Sequence, residues 1–189
     1  MTPAEAIRAG RPVILPTDTV YGLCGDPELE AVAREVTRLK GRAERQPIAL
    51  LAGDVDRLLE RVPELDRRVL DALLPGPYTL ILPNPRRRYP WLAGKRPETI
   101  GIRVPDLPAN AAAVLAEVGA VLATSANAHG GPDPRRLEEV PAEIRAACDA
   151  VVDGGELPGT PSTVLDLTGE KPCVLREGAI PAAEALARL

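Results

Sequence analysis

The stretch "PTDTVYGL", residues 16–23, directly follows the apolar run Val13-Ile14-Leu15. That run predicts a buried strand at about residues 12–15. Two threonines, an aspartate and a tyrosine then stand where the strand should end. Polar side chains at the end of a buried strand are typical of a ligand site in open α/β sheets, because the rigid strand fixes their positions.

The composition predicts one compact domain over residues 1–189. Hydrophobic residues make up 45% of the chain and charged residues 26%, as in globular proteins that bury their own core. The chain has no Phe, one Trp and three Tyr, so we expect a core of Leu, Val, Ile and Ala. Aromatic platforms that stack single-stranded nucleic acid are not expected.

The three cysteines, Cys24, Cys148 and Cys173, lie far apart in the sequence and form no C-x-x-C pair. This spacing argues against a disulfide framework and against a zinc site. The sequence shows neither a signal-like apolar segment behind a basic start nor an apolar run long enough to cross a bilayer. We therefore expect a soluble, cytoplasmic protein with no membrane partner.

Charge is unevenly distributed along the chain. The formal net charge is -4, which argues against general nucleic-acid binding, because that binding requires a basic surface. Two segments are nevertheless locally basic: residues 34–45 hold five basic and two acidic side chains, and residues 86–98 hold five and one. They predict a local anionic ligand, and the alternative is ordinary solvated surface.

The pattern of apolar residues predicts strands and helices without strict alternation. Thr2-Pro3-Ala4-Glu5 is a capping box that opens a short helix, and Asp26-Pro27 predicts the start of a helix that ends near Lys40. Further strands are expected at 47–51, 78–83, 99–104, 120–127, 162–167 and 173–177, and further helices at 54–61, 63–74, 108–118 and the C-terminus. We expect a mixed sheet with helices packed on it.

The polar strand ending seen in the opening stretch recurs along the chain. Each instance alone is also explained by a turn or a helix cap, but together they predict one site that carries both cations and hydroxyl groups. The instances are Thr17-Asp18-Thr19, Thr99 with Arg103, Thr124-Ser125-Ala126-Asn127, Ser162-Thr163 and Arg176.

Several common catalytic motifs are missing. The single histidine, His129, stands in the Gly- and Pro-rich stretch "NAHGGPDP" and is interpreted as a loop residue, not a catalytic base. The sequence holds no phosphate-loop, dinucleotide, zinc-protease or serine-nucleophile motif. Catalysis is therefore expected to act by positioning and charge stabilisation.

Seven ordered motifs resemble those of the YrdC-like threonylcarbamoyl-AMP synthases, from about Pro12 to Ile180. The motifs are "PTDTVYGL", "KGR" followed by "QPI", "LLPGPYTLIL", "TIGIRVP", "ATSAN", "STVLDL" and "VLREGAI". The resemblance implies an α/β fold of the α+β type, in which flanking helices pack on a twisted mixed sheet with a concave, electropositive face.

The resemblance also implies a reaction. L-threonine and bicarbonate give N-carboxythreonine, whose carbamate attacks the α-phosphate of ATP to form threonylcarbamoyl-AMP and pyrophosphate. Mg²⁺ enters with ATP, and no protein-bound metal is predicted. The product is handed to a transferase complex that modifies tRNA.

Individual residues are carried over from the family's motifs. Threonine is expected to contact Thr19, Arg103 and Ser162, with the guanidinium of Arg103 on the carboxylate. The catalytic cations implied are Lys40 and Arg42. The residues expected at ATP are Lys40, Arg42, Gln46, Thr99, Ser125, Asn127 and Arg176.

Four positions depart from the family's common pattern. Gln46 stands where asparagine is frequent, Cys24 where glycine is usual, and Asp133 where a small hydroxyl residue is usual. Leu51 replaces a histidine that helps to hold threonine in many members. Because leucine cannot form a hydrogen bond, this change bears on the selectivity for threonine.

Three functional hypotheses remain open at this point. The first is the synthase. The second is a nucleotide- or RNA-binding paralogue without turnover, in which residues 86–96 contact tRNA or double-stranded RNA. The third is a related carbamoyl-adenylate activity, as in the similar domain of hydrogenase-maturation proteins. Residues 84–98 are also a candidate lid over a bound nucleotide.

Overall fold

The computed structural model describes residues 1–41 and 46–189, and within these residues nine strands form one mixed sheet. The order across the sheet is β7-β1-β2-β6-β3-β5-β4-β8-β9. Three neighbouring pairs are parallel (β1 with β7, β3 with β5, β4 with β8), and the other five are antiparallel. The strands are β1 Val13–Pro16, β2 Tyr21–Gly25, β3 Ala49–Ala52, β4 Tyr78–Pro83, β5 Thr99–Arg103, β6 Ala120–Ser125, β7 Ala150–Val151, β8 Thr163–Asp166 and β9 Cys173–Arg176.

Seven α-helices flank the sheet in the described part of the chain. Two short 3-10 turns, Pro90–Leu92 and Leu137–Glu139, complete the regular structure. The mixed sheet with flanking helices confirms the predicted fold class. The helices are α1 Pro3–Arg8, α2 Glu30–Leu39, α3 Val55–Arg61, α4 Arg67–Leu73, α5 Ala109–Val118, α6 Ala142–Ala146 and α7 Ala182–Ala187.

The opening stretch is the turn of a hairpin. Strands β1 and β2 pair antiparallel, with Pro16 opposite Tyr21. Both the amide and the hydroxyl of Thr17 donate to the carbonyl of Val20, at 3.3 and 2.7 Å. Strand β2 is not predicted from the sequence, because a strand of only five residues that contains two glycines carries little β signal. The hairpin places Asp18 and Thr19 at its tip.

The two faces of the sheet are covered differently. On one face, α2, α3 and α4 bury apolar residues such as Val36, Leu58 and Leu70 against the sheet. On the other face, α1 and α5 cover only one half, where Ile7 and Leu115 pack in a second apolar cluster. Because side chains alternate between the faces along a strand, the uncovered half of this second face exposes every second residue of the central strands.

Two helix boundaries differ from the sequence prediction. Helix α2 begins at Glu30 with no side-chain cap, because Asp26 instead accepts a hydrogen bond from the amide of Glu28, at 2.9 Å, and forms a local turn. The predicted helix at 63–74 is shorter, since Asp66 caps Arg67–Leu73 by accepting from the amide of Arg68. The capping box of α1, between Thr2 and Glu5, is confirmed.

Candidate functional site

A cavity of about 240 Å³ opens on the uncovered half of the second sheet face. Its walls combine hydroxyl groups, two guanidinium groups and small apolar side chains. The cavity lies across the face of the sheet and not at one edge. The lining residues are Thr19, Val20, Pro47, Ala49, Thr79, Ile81, Arg103, Ala123, Thr124, Ser125, Asp133, Pro161, Ser162, Val164 and Arg176.

Small side chains form the floor of the cavity. The register of the central strands places Gly101 beside Ala49, and Ala49 opposite Ala123. A Cβ atom added at Gly101 would lie 4.0 Å from its nearest neighbours, Ala49 Cα and Thr79 Cγ2. The floor is therefore open above Gly101, and it offers room for a flat or branched ligand against the sheet.

The hairpin tip and β5 form one wall of the cavity. Asp18 Oδ1 accepts a hydrogen bond from Arg103 Nη2 at 2.7 Å, and the Thr19 hydroxyl lies 3.3 Å from both atoms. The Thr17 hydroxyl lies 3.0 Å from the Thr19 hydroxyl and forms a hydrogen bond with it. These contacts show why polar side chains crowd the end of β1: they hold an arginine that comes from β5.

Burial shifts the pKa of both partners in this ion pair. The side chains of Asp18 and Arg103 are only 8% and 11% exposed. Removal from water disfavours a charged group, so burial raises the pKa of Asp18 and lowers the pKa of Arg103, although each charge favours the other. Such shifts are common at functional sites.

Lys40 holds the second wall of the cavity in place through hydrogen bonds to Ser125 and Asn127. This lysine follows α2 and is buried. Its Nζ donates to the Ser125 carbonyl, to the Asn127 carbonyl at 2.7 Å and to Asn127 Oδ1 at 2.6 Å. The Ser125 hydroxyl donates to the same Oδ1 at 2.7 Å, while Asn127 Nδ2 donates to Gly131 and, at 3.3 Å, to Asp133. Lys40 thus fixes the turn after β6 that presents Ser125 to the cavity.

The third wall comes from β8 and β9. Arg176 donates two hydrogen bonds to the Ser162 carbonyl, at 2.8 and 3.1 Å, and one to its hydroxyl at 3.2 Å. The Thr79 hydroxyl lies 2.8 Å from that of Ser162. Arg176 is exposed and lines the cavity, so its guanidinium is available to an anion.

The cavity therefore gathers Thr19, Arg103, Ser125, Ser162 and Arg176 from five separate segments. Lys40 and Asn127 lie directly behind Ser125. The assigned contacts of these residues with a ligand remain predictions, since the geometry shows only that they share one site.

Two other predicted residues, Thr99 and Gln46, are not part of the lining. Thr99 lies on the same face as Arg103 but at the other end of β5, about 13 Å away along the strand, and its hydroxyl donates to the Arg96 carbonyl. Gln46 Nε2 lies 3.5 Å from His129 Nε2, outside the lining. Arg42 falls outside the described residues.

Two polar residues of the site are not among the predicted ligand contacts. Asp18 is predicted only as part of the polar ending Thr17-Asp18-Thr19, and Thr79 only as part of a strand. A carboxylate between two threonines was the available signal for Asp18. Nothing in the sequence indicated Thr79, because its role depends on the pairing of β4 with β8.

Leu51 and the larger cavity lie away from these groups. Leu51 is buried in the apolar cluster under α1 and α5 and does not line the cavity. A second cavity of about 430 Å³ lies beyond the ends of β3 and β5, between α3 and α5. It contains none of the predicted site residues, so it is not the candidate site.

Five basic residues of the two charged segments form ion pairs on the surface. Arg34 and Arg38 pair with Glu30 and Glu35 within α2. The other pairs anchor the second segment to the body of the protein: Arg86 and Arg88 pair with Glu64, and Arg96 pairs with Asp166.

Neither a metal-binding cluster nor a membrane span is found in residues 1–41 and 46–189. No group of three or more His, Cys, Asp or Glu side chains in these residues could hold a metal ion. Across the same residues, no helix has the length and apolar character needed to cross a membrane.

The fold and the site define a class: a mixed-sheet protein with a cation- and hydroxyl-lined cavity on its open face. The profile of the Sua5/YciO/YrdC family, described as "Telomere recombination", matches residues 5–178. The chain belongs to this family.

Individual relatives agree with this assignment. The threonylcarbamoyl-AMP synthase of Stenotrophomonas maltophilia is 35% identical over 153 residues, which span 78% of this chain and 82% of the relative. That of Halorhodospira halophila is 37% identical over 155 residues, 80% of each chain. The crystal structure of P. abyssi Sua5 complexed with L-threonine superposes with a TM-score of 0.84 at 28% identity, over 98% of this chain and 56% of that one.

Proposed function

We propose that the protein is an L-threonylcarbamoyladenylate synthase, a nucleotidyltransferase that converts L-threonine, bicarbonate and ATP to threonylcarbamoyl-AMP and pyrophosphate. One observation carries the proposal: a single cavity is lined by two guanidinium groups, of Arg103 and Arg176, and by the hydroxyl groups of Thr19, Ser125 and Ser162. Support comes from relatives that bear this enzyme's name and from a similar structure that was solved with L-threonine.

The two arginines suit the two substrates. Arg103, with Thr19 and Ser162 nearby, would bind the threonine carboxylate, since a guanidinium matches two carboxylate oxygens. Arg176, Ser125 and Asn127 would bind the nucleotide and its phosphates. Gln46 and Thr99, which lie outside the cavity lining, would reach only an extended part of the nucleotide.

The chemistry requires positioning and charge more than a base. The threonine nitrogen bonds to the carbon of bicarbonate, and water leaves. A carbamate oxygen then attacks the α-phosphorus of ATP, and the bond to pyrophosphate breaks. The carbamate is itself a nucleophile, so the catalytic demand is to hold two anionic reactants together.

Cations would meet that demand. Lys40 would act by fixing Ser125 and Asn127, and Arg42 remains the second proposed catalytic cation. Mg²⁺ would arrive with ATP, bound to the phosphates, and would lower their negative charge as a Lewis acid. The threonylcarbamoyl-AMP would then pass to a tRNA-modifying transferase in the cytoplasm.

The RNA-binding alternative has less support. Five of the basic residues in the two charged segments are engaged in ion pairs with carboxylates, which reduces the charge that RNA phosphates would meet. If the protein contacts tRNA or double-stranded RNA directly, its association constant for RNA should fall steeply as the salt concentration rises. The constant should also be lower for the R87A/K95A variant than for wild type.

Pyrophosphate release tests the proposed function. Purified protein with Mg²⁺ and ATP should release pyrophosphate only when threonine and bicarbonate are both present, and mass spectrometry should detect threonylcarbamoyl-AMP. The R176Q variant should lose most of this activity, whereas R188Q, which changes an exposed arginine directly after the last helix, should keep it. Release that is independent of threonine would overturn the proposal.

A further inference from the structure

Asp18 and Arg103 form a buried ion pair at the edge of the cavity, and only one of them lines it. Arg103 is part of the lining and Asp18 is not. Asp18 Oδ2 and Arg103 Nε are both buried without a hydrogen-bond partner in the described part of the chain. The pair therefore has one acceptor and one donor that form no hydrogen bond, although it is almost completely shielded from water.

A gain in the stability of the fold does not explain why this ion pair is buried. Removing two charges from water costs more than their attraction returns unless the remaining donors and acceptors are satisfied. Here one acceptor and one donor are unsatisfied, and burial shifts the pKa of each partner toward its neutral form. A pair that is costly to bury is expected where ligand binding requires it.

We propose that Asp18 is a positioning residue that holds the Arg103 guanidinium in the orientation in which it receives the carboxylate of the amino-acid substrate. Asp18 engages only Nη2, and a guanidinium has five N–H donors. The Thr19 hydroxyl accepts from the same Nη2, so the donors on Nη1 and Nε are left for the ligand. The Thr17 and Thr19 hydroxyls complete the support by fixing the hairpin tip that carries Asp18.

The charges of the substrate decide whether the loss of Asp18 weakens or strengthens the binding of threonine. A free amino acid is a zwitterion, so Asp18 repels its carboxylate and attracts its ammonium group, and the two effects largely cancel at similar distances. The orientation of Arg103 is then the main contribution of Asp18. Loss of Asp18 should therefore weaken binding of threonine and leave binding of ATP unchanged.

The inference rests on the proposed function for its substrate, and the experiment separates the two. Binding of L-threonine to wild type, D18N and D18A is measured by calorimetry without ATP, and KM values for threonine and ATP are measured by pyrophosphate release. D18N keeps the size of the side chain and an oxygen facing Arg103, so it should fold even if D18A does not. D106N is the matched control, because Asp106 acts on Asp18 only through its charge.

We expect the dissociation constant and the KM for threonine to rise about tenfold in D18N, which corresponds to about 1.4 kcal/mol, and further in D18A. The KM for ATP should stay within about twofold, and D106N should resemble wild type. Equal changes for both substrates, no change, or tighter threonine binding would overturn the inference. A wild type that binds threonine but releases no pyrophosphate would refute the proposed function alone.

Discussion

Lys40 Nζ lies 2.6 Å from the side-chain oxygen of Asn127 and 2.7 Å from its main-chain oxygen. A lysine predicted to act on substrate thus also organises the turn that carries Ser125. Both functions depend on the same ammonium group, so they can be separated only by comparing stability with activity.

Replacement of Lys40 by methionine should lower both stability and activity. The substitution leaves the buried carbonyl and side-chain oxygens around Asn127 without this donor, at a cost of about 1–3 kcal/mol for each unsatisfied group. Urea unfolding should show the lower free energy, and pyrophosphate release should fall more than stability alone explains. Full activity in a destabilised K40M variant would limit Lys40 to structural support.

A larger side chain at Gly101 should block the cavity without damaging the fold. Because an added Cβ meets its nearest atoms at 4.0 Å, an ordinary contact distance, we expect G101A to fold like wild type. In G101V the two methyl groups would occupy the space above the floor and compete with the ligand. Ligand binding by calorimetry should weaken strongly in G101V and mildly in G101A, with melting temperatures close to that of wild type.

The Asp18–Arg103 pair should show strong coupling in stability. R103M alone leaves a buried carboxylate without its cation, and breaking a buried pair in this way typically costs about 3–5 kcal/mol. The double variant D18N/R103M removes both charges and should be as stable as wild type or more so. Chemical denaturation of the two single variants and the double variant measures the coupling, and additive effects would contradict it.

Threonine binding should weaken at acidic pH through Asp18. Burial raises the pKa of this carboxyl above the ordinary aspartate value, against the opposing effect of Arg103. As pH falls, Asp18 therefore takes up its proton earlier than a solvated aspartate and releases its hold on Arg103. The threonine KM should rise on the acid side in wild type.

The same acid-side rise should be much smaller in D18N, which has no group to titrate at this position. The charges of Asp106 and Arg103 act on Asp18, and those of Cys24 and Arg176 act on Arg103, so D106N is the control for an indirect effect of charge.

The free energy of unfolding should change with pH in the opposite direction to threonine binding. Because the pKa of Asp18 is raised in the folded protein, its protonation stabilises the fold at low pH, and this contribution is lost as pH rises.

Local patterns in the sequence were sufficient for much of the secondary structure. The strand predicted at 78–83 matches β4, and the helix predicted at 108–118 differs from α5 by one residue. Branched residues in short apolar runs and periodic apolar residues are local properties, so they can be read without knowing the fold. The motifs that resemble the YrdC-like synthases also belong to the sequence alone.

The assembly of the site was decided by the tertiary structure. Arg103 and Ser125 each end a strand, but β5 and β6 run in opposite directions on either side of β3, so the two side chains face one cavity from different ends of the sheet. The choice of Asp18 as the partner of Arg103 depends on bringing together residues 85 positions apart. Such long-range pairing is set by packing and strand order across the whole sheet, for which a local pattern carries no signal.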